Sequence, residues 1–264
     1  MLFDKNHIMY MVISAVITAG LLVGAHFLFR KQKHKDLFLK FWAVATVVIH
    51  FSSVYYDYYI AKIVHPSLGL SLFVPAYACN VCMWLLVIVA FGNKESKIIK
   101  LLAQFVALGG IVCGTIGILL NENYSSGGLD SYEVLKGLIS HSTMLVGSLY
   151  VLVGGYIRIR VKNSVLGVTI GLAILLIDGL IVNNLNKWFG QESVNSMYLQ
   201  KAPFEAMPWL NTLTIGIIGV LVSFLISAIV ELITVPKNER WYVRVSSKMT
   251  ENEELEADEM EEVK

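Results

Sequence analysis

Seven long, nearly uninterrupted apolar stretches constrain this chain more than any other feature: His7–Phe29, Leu37–Ile60, Leu70–Phe91, Ile98–Leu120, Val134–Tyr156, Ser164–Leu185 and Thr212–Val235. A helix needs about 20 mainly apolar residues to cross the hydrocarbon layer. In lipid the backbone must satisfy its own hydrogen bonds, which leaves helices and closed barrels as the only spanning structures. A barrel is built from short alternating segments, and these runs are long and continuous. The sequence therefore predicts an all-α, polytopic bundle of about seven transmembrane helices. Charge agrees: 16% of the residues are charged, against about 25% in a soluble domain.

Lysine and arginine distribution sets the expected orientation. Alternate connections hold Arg30, Lys31, Lys33 and Lys35, then Lys94, Lys97 and Lys100, then Arg158, Arg160 and Lys162, and finally Lys237, Arg240, Arg244 and Lys248. The opposite side holds only Lys5, Lys62, Lys136, Lys187 and Lys201. Basic loops stay in the cytoplasm, so the amino end is expected outside and the carboxyl end inside. The first span is read as a retained helix, because its basic cluster follows it and no small-residue cleavage site is evident.

Two units are expected: a membrane domain over 1–240, and an acidic cytoplasmic tail over 241–264. From Glu251 onward the tail carries eight acidic side chains and almost no large apolar ones, a composition that cannot form a core. Trp241 and Tyr242 read as interfacial anchors. Glycines four apart at Gly20/Gly24, Gly110/Gly114 and Gly167/Gly171 suit close helix packing. There is no glycine-rich phosphate loop, no HExxH and no nucleic-acid surface; no cofactor and no metal site are expected.

Chemistry should reside in the polar groups inside the spans, since each is costly there. From the 1.5 Å rise per residue, His50 lies about 15 Å from the outer end of its span, Cys79 about 14 Å, and His141 and Asp178 about 10 Å each. Cys82, Cys113, Ser140, Ser142, Thr143 and Asn183 fall in the same outer half. Several helices thus contribute polar groups to one layer, the pattern of a single pocket opening outward. Asp178 needs a partner at that depth, and His50 or His141 would serve. Pro75 cannot donate to the carbonyl of Ser71, so the third helix is expected to bend beside Cys79. A histidine can take the proton of a buried thiol and make it a nucleophile, which makes Cys79 with His141 the pair suited to acyl transfer. Asn80, Asn183 and Asn184 are candidate oxyanion donors.

The segment Val74-Pro75-Ala76-Tyr77-Ala78-Cys79-Asn80 resembles the Pro-x-x-x-Cys segment of bacterial YwaF-type integral membrane proteins. Ser140-His141-Ser142 looks like the histidine-bearing helix start of that family. Asn195-Ser196-Met197-Tyr198-Leu199, followed by Lys201 and Pro203, is similar to its Asn-Tyr-Met-like loop, with Ser196 at an aromatic position. That family is similar to animal transmembrane acyltransferases that remodel ether phospholipids through a cysteine and a histidine. The resemblance implies that Cys79 carries the acyl group and His141 activates it.

The expected function is thus a cell-membrane lipid acyltransferase or lipid hydrolase. Cys79 and His141 would be catalytic, and His50, Asn80, Cys82, Asp178 and Asn183 would form the pocket. Membrane lipids, a phospholipid as substrate among them, are the expected partners. A small-molecule transporter using the same polar layer is the alternative, although the sequence lacks the internal repeat of many transporters. A receptor is a third reading. Retinal binding is disfavoured because the last span holds Glu231 but no lysine.

Overall fold

The computed structural model describes residues 3–62, 75–121, 128–188, 195–202 and 207–245. Its regular structure is helical throughout: α1 Lys5–Leu28, α2 Gln32–Tyr55 prolonged by a π-helical turn at Tyr56–Ile60, α3 Ala78–Phe91, α4 Lys97–Leu119, α5 Tyr132–Val153, α6 Val161–Trp188 and α7 Thr212–Thr234. Six of these are long and apolar enough to span a bilayer. The chain is a multi-pass membrane protein. The acidic stretch from Glu251 onward and Pro203 lie outside the described residues.

The third helix departs from expectation. The sequence predicts a continuous run over 70–91 bent at Pro75; the helix instead starts at Ala78 and holds 14 residues. At 1.5 Å per residue that is about 21 Å, short of a ~30 Å hydrocarbon layer. Pro75 lies in a turn ahead of the helix and Tyr77 is extended at φ −130° and ψ 154°. A physical reason is visible at Ala76. Its carbonyl accepts from Ser196 Oγ at 2.8 Å, while Asn80 N, its partner in a regular helix, donates to Tyr77 O. The tertiary bond replaces the helical one.

The densest core lies where α2, α3, α4 and α5 meet, around Leu39, Ala43, Leu86, Val106, Met144 and Tyr150. The glycine pairs divide by this packing. A side chain at Gly110 would strike Ser148, and one at Gly171 would strike Phe105, so both seat neighbouring helices. Nothing approaches Gly20 or Gly24. Helix α1 packs chiefly on α5 and α7 on α6, leaving Val16, Phe27, Leu225 and Ile229 exposed for lipid.

The basic end of the bundle is held by polar contacts. Lys94 donates to the carbonyls of Val89 and Ala90 and closes the C-terminus of α3. Tyr156 donates to Asp36 at 2.7 Å; burial and that carboxylate push its phenol above the ordinary range, so it stays a donor. Glu231, wholly buried on α7, accepts from Arg244 at 2.9 Å and from the backbone N–H of Val161 at 2.8 Å. Trp241 packs edge-on against Phe224 at 5.5 Å, so the turn at 241–245 folds back onto the bundle.

Candidate functional site

The end opposite the basic loops contains a cavity of about 1710 Å³ bounded by α2 to α7 and the segment 195–202. That exceeds the ~300–1,000 Å³ usual for small-ligand pockets. His50 from α2, Cys79 and Asn80 from α3, Cys113 from α4, and Ser140 and His141 from α5 all line it. The structure therefore brings the expected nucleophile and base to one space, with His50 and Asn80 beside them.

Cys79 occupies the second position of α3. The first N–H groups of a helix have no intrahelical acceptor and carry the positive end of the macrodipole. A thiolate at such a position is stabilised. The Cys79 thiol donates to Asn80 Oδ1 at 3.5 Å. His141 is set by a glycine: a side chain at Gly117 of α4 would collide with the imidazole ring. The ring therefore lies flat over that backbone, and its buried Nδ1 has no hydrogen-bond partner among the described residues.

Other expected members sit elsewhere. Cys82 is fully buried, with its sulfur 4.0 Å from that of Cys113. Asp178 does not line the cavity, and its buried Oδ2 has no hydrogen-bond partner among the described residues; neither His50 nor His141 pairs with it. Ser142 bonds to Tyr10 and Ser14 of α1, and Thr143 accepts from Thr46. Asn184 is exposed and donates to Leu180 O.

Asn183 has a role that sequence alone did not indicate. Its amide donates to Ser196 O at 3.1 Å and accepts from Ser196 N at 2.9 Å. The amide oxygen and one amide N–H are thus engaged in holding a loop, and Asn183 is not among the residues that line the cavity. That loop is over-determined. Ser196 reaches on to Ala76, Thr212 Oγ1 donates to Met197 O at 2.6 Å, and Asn195 bonds the backbone of Gln200 and Lys201. Met197 and Tyr198 hold positive φ of 53° and 56°, costly for residues with side chains. The small hydroxyl at the expected aromatic position makes this possible, because Ser196 is fully buried between Asn183 and Ala76. Residues 197–202 consequently form part of the cavity wall.

Removing the clamp should release the loop. Asn183→Ala strands the buried N–H and C=O of Ser196, at about 1–3 kcal/mol per unsatisfied group. Hydrogen exchange at 195–202 is expected to accelerate strongly while the core of α4 stays protected. Unchanged protection of the loop would contradict the clamp.

Sequence reading also passed over Lys136, Lys201 and Gly117 as site residues. Lys201 carried a signal, since it follows the Asn195–Leu199 motif; Gly117 carried none, because its meaning depends on the helix facing it.

A protein-family model described as the TMEM164 family matches residues 2–233. No curated protein and no solved structure matches the chain.

Proposed function

The chain belongs to the TMEM164 family, and from that premise we propose that it is a membrane-embedded lipid acyltransferase using Cys79 as nucleophile and His141 as general base. The observation that carries the proposal is that Cys79, Asn80 and His141 line one large cavity, with Cys79 in the first turn of the short helix α3. The likeness to animal cysteine–histidine acyltransferases supports the assignment of roles. The likeness to bacterial YwaF-type proteins rests on the order of the three motifs.

In the proposed cycle, His141 takes the thiol proton as Cys79 Sγ attacks the ester carbonyl of a bound phospholipid. The new bond is C–S. The C–O bond to glycerol breaks, and His141 returns the proton to the departing alkoxide. A hydroxyl of an acceptor lipid then attacks the thioester, losing its proton to His141, and the proton goes back to the released thiolate. First-turn amides of α3 would stabilise the oxyanion of each tetrahedral intermediate. With the basic loops in the cytoplasm, the amino end lies outside and the cavity serves the outer leaflet of the cell membrane.

The test is the lipid profile of a host expressing the wild type, Cys79→Ala or His141→Ala at matched membrane levels. The wild type should change acyl composition and neither variant should. Three profiles equal to an empty-vector control would defeat the proposal.

Gly117 supplies a finer check. Gly117→Ala pushes the His141 ring off its seat, and displacement of a catalytic group by about 1 Å can cost about 100-fold. Transfer is expected to fall by that order, with the helical content and thermal unfolding of the variant close to wild type. A fully active Gly117→Ala would mean that the ring position seen here is not required.

A further inference from the structure

Among the described residues no aspartate or glutamate lines the cavity, yet two lysines do: Lys136 from α5 and Lys201 from the clamped loop. Neither ammonium has a carboxylate partner among the described residues. Lysines near a bilayer commonly extend to the interface with their charge in water. These two border the same cavity as the thiol and the imidazole, Lys136 half-buried and Lys201 exposed. The backbone places each of them: Lys136 lies one helical turn from Ser140 on α5, and both residues line the cavity. Lys201 follows the strained turn at Met197 and Tyr198, and the Asn195 side chain binds both its backbone N–H and its C=O. Holding non-glycine residues at positive φ costs free energy that persists only where the surroundings enforce it, and such strain gathers at ligand sites.

The rest of the wall is mostly apolar, with Leu213, Ile217, Val220 and Leu221 of α7 among the residues facing the space. A ligand suited to this cavity has a long hydrocarbon part and a compact anionic part. Five residues of helix separate Lys136 from His141, about 7.5 Å along the axis. In a glycerophospholipid only a few bonds separate the phosphate from the acylated glycerol carbons. A phosphate between the two lysines would therefore leave the ester near His141 and Cys79.

We infer that Lys136 and Lys201 form the subsite for the phosphate of a glycerophospholipid, and so select phospholipids over neutral glycerolipids. The inference rests on the reading of the cavity as a lipid site. It does not depend on whether the acyl group is transferred.

The experiment measures binding of three fluorescent probes with the same single chain, a lysophosphatidylethanolamine, a monoacylglycerol and a free fatty acid, to the detergent-purified full chain. Wild type is expected to bind the lysophospholipid roughly tenfold or more tighter than the monoacylglycerol, as charge-assisted contacts to phosphate should give. Lys136→Gln with Lys201→Gln should abolish that preference and leave monoacylglycerol affinity unchanged, which also reports an intact fold. Lys201→Gln alone, on an exposed loop position, should weaken it partly, and arginine at both positions should restore it. Millimolar inorganic phosphate should not compete, since the chain anchors the ligand.

Equal binding of lysophospholipid and monoacylglycerol by wild type would overturn the inference. So would a preference surviving in the double glutamine variant, fatty acid binding as tightly as the lysophospholipid, or full competition by free phosphate. Cys79→Ala is included to separate the two proposals. A lysine-dependent preference in both wild type and Cys79→Ala, together with lipid profiles that never change, would keep the headgroup subsite and discard acyl transfer. Active transfer with a lysine-independent preference would do the reverse.

Discussion

Purified protein incubated with a phospholipid is expected to carry the acyl group as a thioester on Cys79, released by neutral hydroxylamine and absent from Cys79→Ala. General-base assistance typically contributes about 10²–10⁴-fold, so His141→Ala should slow acylation by that order, with the thiol still present. Cys79→Ser is the more informative nucleophile variant. A hydroxyl in that position is far less ionised than a thiol, so turnover should fall severely, and any acyl group that does transfer would remain as an oxygen ester resistant to neutral hydroxylamine. Intact-mass analysis distinguishes these species directly. Acyl label on Cys82 or Cys113 instead of Cys79 would move the nucleophile to the pair whose sulfurs lie 4.0 Å apart. Product formation without any label on protein would exclude the covalent route, leaving His141 to activate an acceptor directly.

The all-helical, multi-pass architecture was legible from sequence because it depends on one-dimensional quantities, length and polarity. Even the exception follows from a tertiary cause: Pro75 marked the disturbance, but only the bond from Ser196 Oγ to Ala76 O explains why the helix waits until Ala78. Within the site, Cys79 and His141 could be proposed because a thiol and an imidazole inside apolar spans are conspicuous. Their relation to the loop at 195–202 could not. Asn183 looked like a free polar group in a span, whereas both its amide functions meet Ser196, thirteen residues away across a loop whose path no periodicity predicts. The expected Asp178–histidine pair failed for a related reason. Depth along a helix does not determine which direction a residue faces. Gly117 and the two lysines became meaningful only once the opposing surfaces were known.

Glu231→Ala is expected to produce the largest loss of stability of any single substitution outside the cavity. The Glu231 carboxylate is fully buried near the basic end of α7. One oxygen accepts from Arg244 at 2.9 Å and faces Arg160 at 3.6 Å, and the other accepts from Val161 N at 2.8 Å. Val161 is the first residue of α6, where a negative charge also opposes the positive end of the helix dipole. One side chain thus joins α6, α7 and the turn at 241–245. Truncation leaves two guanidinium groups facing each other and an unpartnered backbone N–H. Removing one member of a buried ion pair costs about 3–5 kcal/mol. Glu231→Gln keeps an acceptor for Val161 while deleting the charge, so its loss should be intermediate. Arg244→Gln should cost less than either, because that arginine's side chain is 46% exposed and exposed pairs contribute about 0–1 kcal/mol. Thermal unfolding of the four proteins in one detergent should rank wild type, Arg244→Gln, Glu231→Gln and Glu231→Ala in falling order. If Glu231→Ala unfolded with wild type, the apolar packing of α7 on α6 alone would be holding the last helix. The ordering separates the causes: equal losses in the alanine and glutamine variants would assign the effect to charge, and a wild-type-like glutamine variant would assign it to the cap on α6.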